Sequence, residues 1–373
     1  MDEQQSLQAE GARAHECETR EGDQEAALDD EEADEEDEGA GVMLGFPSAQ
    51  LRSALGSEFF PSKLGGRPAW LHPQQPKQEH LKCGLCNGDL SFMLQLYAPI
   101  DGESDAFHRT LFVFCCRNGC ELSKGNDWDG VRPGNACVRV FRSQLPRANN
   151  FYDFHPKEIP KIEEIGSDEE GDPIGGGREE GRMWSNEMEL LVEPEDDQPE
   201  LQHEKAKSNN PTCDPEFVDA NEVPASRELH SPQMQQWTHF QTTLLRAPEQ
   251  CVRYCKGRAD TILWPRIEPR PMYASVSGSR QSDTGFRLQP CSMCGAYREY
   301  EFQVLPTILY YLEEDDGHRH ATDFGTIVVY TCSSACSPAG HNVSYCEEVA
   351  FVQPPMAFDL KHDLDVRRSN ATS

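Results

Sequence analysis

Eight cysteines stand in two sets of closely similar spacing. The first is Cys83, Cys86, Cys116 and Cys120; the second is Cys291, Cys294, Cys332 and Cys336. Each set joins a C-x2-C pair to a C-x3-C pair. One tight turn can aim two sulfurs at a single ion, and two such turns close a tetrahedral thiolate cage, the chemistry of structural zinc. The expectation is up to two structural zinc ions per chain. The pairs within a set lie 30 and 38 residues apart, longer than the usual ribbon loop, and Cys115 competes with Cys116 for the ligand role. The alternative is a set of buried reduced cysteines, since the free thiol packs as a small hydrophobe. A redox role for the C-x2-C pairs is weaker, because no thioredoxin-like βαβ pattern surrounds them.

No other constellation competes. The chain has no H-E-x-x-H, G-x-S-x-G, Walker A or G-x-G-x-x-G pattern. His108-Arg109 reads as an exposed loop before a strand rather than an acid–base pair. The glycines at 175–177 sit among carboxylates that would repel a phosphate. Trp70, Tyr97, Phe112 and Phe114 could stack on bases, but core packing suits them better. The expectation is a binding protein, not an enzyme, with neither catalytic nor cofactor-binding residues beyond the cysteines.

Charge divides the chain. Residues 1–40 carry 17 acidic and 2 basic residues, and residues 153–230 carry 23 and 7. Together they hold the whole formal charge of −31, leaving 25 of each sign elsewhere. A neutral fold lacks the Lys and Arg surplus on which nucleic-acid binding leans. The acidic runs repel phosphate and attract polycations. Hydrophobic residues are only 37% of the chain, as expected where solvated segments accompany a core. The start is polar and acidic, without the apolar core of an export signal, and no apolar run approaches the ~18 residues of a membrane span. Fifteen cysteines without such a signal point to a reducing compartment, cytoplasmic or also nuclear. There the sequons at Asn342 and Asn370 carry no meaning.

The elements that would position the cysteines are β-rich. Aromatic and β-branched runs at 90–97, 110–115, 137–141, 299–305, 326–331 and 349–352 read as strands. A short apolar run at 42–46 opens the order, and the Pro- and Gly-rich stretch at 59–70 reads as a packed turn. Ser231 as N-cap and Pro232 at the first position start a helix whose apolar face is Met234, Trp237, Phe240 and Leu244, stopped by Pro248. The acidic segment at 153–230 reads as a disordered linker with one apolar island at 183–192, either a docking helix or a transiently ordered stretch.

Three further matches join the halves. Gln95 and Gln303 each follow the C-x2-C pair by nine residues. Aromatic strands lead into Cys115-Cys116 and into Cys332. Cys137 with Gln144 and Pro146 parallels Cys346 with Gln353 and Pro354. The expected fold is β-rich α+β: two similar, duplicated lobes packed as a pseudo-symmetric pair, with long disordered acidic segments. The expected domains are an acidic tail at 1–40, an N-terminal lobe at 41–152, the acidic linker at 153–230, a C-terminal lobe at 231–360 and a flexible tail at 361–373.

These residues resemble a known family. The run from Phe60 to Leu71, the Leu96-Tyr97-Ala98-Pro99 segment, Phe114-Cys115-Cys116-Arg117 and Val140-Phe141-Arg142-Ser143-Gln144-Leu145-Pro146 are similar to the programmed cell death protein 2 family. So are Cys251-Val252-Arg253-Tyr254, Cys291-Ser292-Met293-Cys294-Gly295 and Glu301-Phe302-Gln303-Val304-Leu305-Pro306. The resemblance covers about 42–152 and 231–356. It implies a dedicated chaperone that captures a basic small-subunit ribosomal protein of the universal S-five family and supports small-subunit assembly and rRNA maturation. Many animal members carry a zinc-binding MYND finger between the halves. Here that stretch has one cysteine, Cys213, so roles owed to the finger do not carry over. The alternative is a scaffold in transcription or programmed cell death. Neither direct nucleic-acid binding nor membrane association is expected, and the oligomeric state is left open.

Overall fold

A computed structural model of the chain describes residues 41–48, 55–126, 136–153, 184, 186–195, 231–271, 288–312, 322–339 and 343–356. The tails at 1–40 and 361–373, most of the acidic segment and the sequon asparagines Asn342 and Asn370 lie outside the described residues.

Among the described residues, ten strands form one closed antiparallel barrel. They are β1 (Met43–Ser48), β2 (Lys63–Gly65), β3 (Ser91–Tyr97), β4 (His108–Cys115), β5 (Val138–Leu145), β6 (Glu187–Pro194), β7 (Val252–Tyr254), β8 (Arg298–Val304), β9 (Thr326–Cys332) and β10 (Cys346–Gln353). Around the barrel the order is β1-β6-β2-β3-β4-β5-β10-β9-β8-β7. The ring is completed by β7 pairing with β1, Tyr254 opposite Met43. Closure removes the unpaired edges that make open sheets prone to association. The described residues thus form a single sheet rather than two packed lobes. The halves meet by backbone pairing of β5 with β10, Arg142 opposite Cys346. One apolar cluster holds Leu94, Phe112 and Val140 from the first half and Phe302, Val304 and Ile327 from the second. The halves nevertheless share local geometry: β3 has a register shift between Phe92 and Leu94, and β8 has one between Tyr300 and Phe302.

The acidic segment supplies a strand. The apolar island at 183–192 contributes a strand and not a docking helix: β6 runs between β1 and β2, with Gly45 opposite Val192 and Leu64 opposite Met188. Within β6 only Leu190 is buried, while Trp184 just before it is 1% exposed. Ion pairs hold both ends. Lys63, itself buried, meets Glu187, and Arg253 grips Glu195 with two bonds of 2.9 and 2.8 Å. Gly65 makes the approach possible: at φ 65° it lies against Asn186 O, which an added Cβ would meet at 1.7 Å.

The helix α1 (Pro232–Leu244) forms as its cap signals require, with Ser231 Oγ accepting from Met234 N at 3.2 Å. Its Phe240 packs with Leu263 and Leu305, flanked by Trp237 and Leu244. A second helix, α2 (Ile308–Tyr311), is a single turn. Two glutamines, paired by position in the sequence, clamp extended segments against the sheet. Gln95 Oε1 accepts from Ala69 N at 2.8 Å, and Gln303 Oε1 accepts from Leu263 N at 2.8 Å. Trp70, next to Ala69, then covers Phe112 and Phe114, and Trp264, next to Leu263, meets Phe351. The aromatics Phe112 and Phe114 are accordingly core residues. Among the described residues no helix is long and apolar enough to cross a membrane.

Candidate metal centres

Both cysteine quartets assemble. The four Sγ atoms of Cys83, Cys86, Cys116 and Cys120 lie within 4.8 Å of one another, as do those of Cys291, Cys294, Cys332 and Cys336. Cys83 is 3.9 Å from Cys120, and Cys86 is 3.6 Å from Cys116. In the second quartet Cys291–Cys336 is 3.6 Å and Cys294–Cys332 is 3.4 Å. A tetrahedral ion with roughly 2.3 Å sulfur bonds spaces its ligands about 3.8 Å apart, so both quartets fit zinc in number, type and separation. None of the eight is in a disulfide. The competition at the end of β4 is resolved: Cys116 joins the quartet while Cys115 is packed away, its thiol pushed up to about 12 by burial. Cys137, 3.7 Å from Cys83, is a fifth sulfur beside the first quartet.

The backbone builds each cage from two knuckles. Asn87 N donates to Cys83 O and Gly295 N donates to Cys291 O, both at 2.9 Å. Both turns need a left-handed residue, supplied by Asn87 at φ 58° and Gly295 at φ 76°. The second knuckles likewise place Gly119 (φ 71°) and Ala335 (φ 42°) at positive φ. Cys86 Sγ accepts from Asn118 Nδ2 at 3.5 Å and from Gly88 N at 3.4 Å, and these bonds bring its pKa down to about 6. Its neighbour Cys120 is pushed up to about 12, chiefly by burial. In the second quartet burial would raise Cys332, but N–H groups of Cys336 and Ser334 and the Cys294 thiol outweigh it and bring it to about 7. Burial raises Cys336. Four free thiols at this spacing cannot all ionise together, and a dication removes that conflict.

Buried ion pairs stitch the two halves together. Arg109 on β4 grips Glu301 on β8 through two bonds of 2.8 Å, both side chains 0% exposed. Thr331 Oγ1 and Tyr254 OH also donate to Glu301, at 2.5 and 3.0 Å. Since β4 and β8 are not neighbours in the sheet, the pair spans the barrel interior. His108 and Arg109 are therefore buried strand residues, not the exposed loop expected from the sequence. A second group sits beside the second quartet. Arg142 Nε donates to Glu348 at 2.6 Å, Arg298 contacts the same carboxylate, and Arg142 NH1 donates to Cys336 O at 2.8 Å. Sequence reasoning misplaced Arg109 and missed the roles of Arg142, Arg298, Glu301 and Glu348. The available signal was a charge set inside an apolar strand, as in Phe141-Arg142 and Tyr300-Glu301-Phe302.

By class the described residues form a closed antiparallel barrel that carries two knuckle-built cysteine cages. The family model for the Programmed cell death protein 2 N-terminal domain matches residues 41–159, and that for the C-terminal domain matches 234–354. The chain belongs to the programmed cell death protein 2 family. It is 30% identical to Programmed cell death protein 2 of Bos taurus over 83% of this chain and 95% of that one. It is 26% identical to Programmed cell death protein 2-like of Mus musculus over 86% and 98%. A shorter match, 28% identical over 33% of this chain and 29% of the relative, is to Probable 20S rRNA accumulation protein 4 of Schizosaccharomyces pombe. No solved structure matches.

Proposed function

We propose that the chain is an escort for a basic small-subunit ribosomal protein of the universal S-five family, acting in the cytoplasm before that protein joins the assembling small subunit. The observation that carries this reading is the separation of charge by structure. A neutral barrel holds strand β6 by ion pairs at Glu187 and Glu195, and acidic chain continues from both sides of it. Residues 154–183 carry nine carboxylates against four cations, and 196–230 carry nine against three. Acidic chain tethered beside a neutral surface can screen the Lys- and Arg-rich extensions of an unassembled ribosomal protein. Each exposed contact contributes about 1 kcal/mol or less, but many together raise capture rate and local concentration. The fission yeast relative's name refers to 20S rRNA, which supports a role in ribosome assembly. The eight cysteines Cys83, Cys86, Cys116, Cys120, Cys291, Cys294, Cys332 and Cys336 hold two structural zinc ions that fix the hairpin ends. The matched knuckles, bulges and clamping glutamines support descent of the two halves from one duplicated module.

The test compares the full chain with a variant lacking 1–40, 154–183 and 196–230, sparing 184–195 because Trp184 and β6 belong to the barrel. Stopped-flow association with the purified ribosomal protein is expected to slow and to lose most of its salt dependence while binding persists. Unchanged association kinetics would reduce the acidity to a solubility device. Complete loss of binding would move recognition from the barrel to the acidic chain.

A further inference from the structure

We infer that the turn between β3 and β4 forms a pocket for a single arginine or lysine side chain of an extended peptide. The inference rests on the escort reading only for the identity of the peptide's owner. A cavity of about 460 Å³ opens here, lined by Tyr97, Ile100, Asp101, Glu103 and Phe107 among others. Aromatic rings and carboxylates facing one cavity match a cation on an apolar stem: the rings accept the stem and the charge over their faces, and the carboxylates take its hydrogen bonds. The chain already shows that one ring accepts such a group, because the Arg147 guanidinium lies 5.2 Å above the centre of Phe107.

The pocket is pre-shaped. Ile100 N donates to Ala106 O at 3.2 Å, Glu103 N to Ile100 O at 3.2 Å and Ala106 N to Glu103 O at 3.0 Å, which fixes the turn. Gly102 at φ 79° allows it. Tyr97 is held by a stacked Phe60 at 5.5 Å and by its hydroxyl, 3.0 Å from His108 Nδ1. Phe60 in turn stacks on His108 at 4.2 Å. The carboxylates of Asp101 and Glu103 are exposed, and among the described residues neither forms an ion pair with a cation of this chain. Phe107 is 40% exposed on the rim. The cations nearby are Arg147, stacked on Phe107, and His108, whose pKa is lowered by burial and by Arg147, so it adds no charge against the ligand near neutral pH. An acidic or neutral peptide gains nothing from these carboxylates, which sets the sign of the preference.

The experiment titrates the full chain with an acetylated, amidated Gly-Arg-Gly peptide and follows the Ile100 methyl resonance, assigned through Ile100→Val. The same peptide with citrulline replacing arginine keeps the shape and removes the charge. The arginine peptide is expected to move the Ile100 signal saturably and the citrulline peptide to leave it in place. Phe107→Ala and the pair Asp101→Asn with Glu103→Gln each weaken the arginine titration about tenfold. An unmoved Ile100 signal, or equal binding of the citrulline peptide, overturns the proposal. The pocket and the escort reading fail separately. If the purified ribosomal protein binds the Phe107→Ala chain as tightly as the wild type, the pocket is not its contact and the escort stands. If it does not bind the wild type at all, the escort fails while the Ile100 titration still decides the pocket.

Discussion

Glu301→Gln removes the charge that neutralises Arg109 in the barrel interior while keeping shape and most hydrogen bonds. Glu301 accepts two bonds from Arg109 at 2.8 Å and one each from Thr331 and Tyr254, and both ions are fully buried. Breaking such a pair from one side strands the partner charge, at a cost of about 3–5 kcal/mol. Against a typical domain stability of about 5–15 kcal/mol, that is about a fifth of the total or more. Urea denaturation of the full chain, followed by tryptophan fluorescence, measures it. The double variant Arg109→Met with Glu301→Leu is expected to recover at least half of the loss, because no unpaired charge remains. The same pair sets a pH dependence. Burial would raise Glu301, but the charge and hydrogen bonds of Arg109, with Thr331, outweigh it and hold its pKa below the ordinary 4.5. A depressed carboxylate stabilises fully above its unfolded pKa and loses that contribution as pH falls through the folded value. The wild type should therefore lose stability below about pH 4.5 more steeply than the double variant. A Glu301→Gln cost under about 1 kcal/mol, or equal acid sensitivity of wild type and double variant, would refute the interlock.

Elemental analysis of the purified chain is expected to give two zinc ions; Cys116→Ser should remove one, and Cys115→Ser should remove neither. Leu190→Glu drives a charge into the only buried position of β6, and is expected to raise amide deuterium exchange in β1 and β2, which lose their shared neighbour. Ser231→Ala removes the side-chain cap on Met234 N and should lower stability by about 1 kcal/mol in the same urea assay.

Local pattern carried most of the fold. The cysteine spacings, the capped helix at 231 and strands such as β4 and β9 follow from periodicity and turn chemistry, and each appears within a few residues of where the sequence places it. What the sequence concealed was long-range. Nothing in the alternation of β5 or β10 announces that they pair with each other, since cross-half register is set by barrel closure. Strand β6 was masked by its setting, because Glu187, Glu189 and Glu193 give it the composition of the acidic segment around it. Its partners Lys63 and Arg253 lie far away in sequence. The reading of His108-Arg109 failed for a related reason. A charged residue at a strand start looks solvent-facing unless its opposite number, here Glu301 at the register shift of β8, is known to share the interior.

The most direct test of the escort is the stoichiometry of what the protein holds in the cell. The tagged full chain, isolated gently after RNase treatment and analysed by quantitative mass spectrometry, is expected to carry one small-subunit ribosomal protein of the universal S-five family in near-equal amount, without the rest of the small subunit. A spread of chromatin or signalling proteins with no ribosomal protein enriched would contradict the escort and favour a scaffold built on the same barrel.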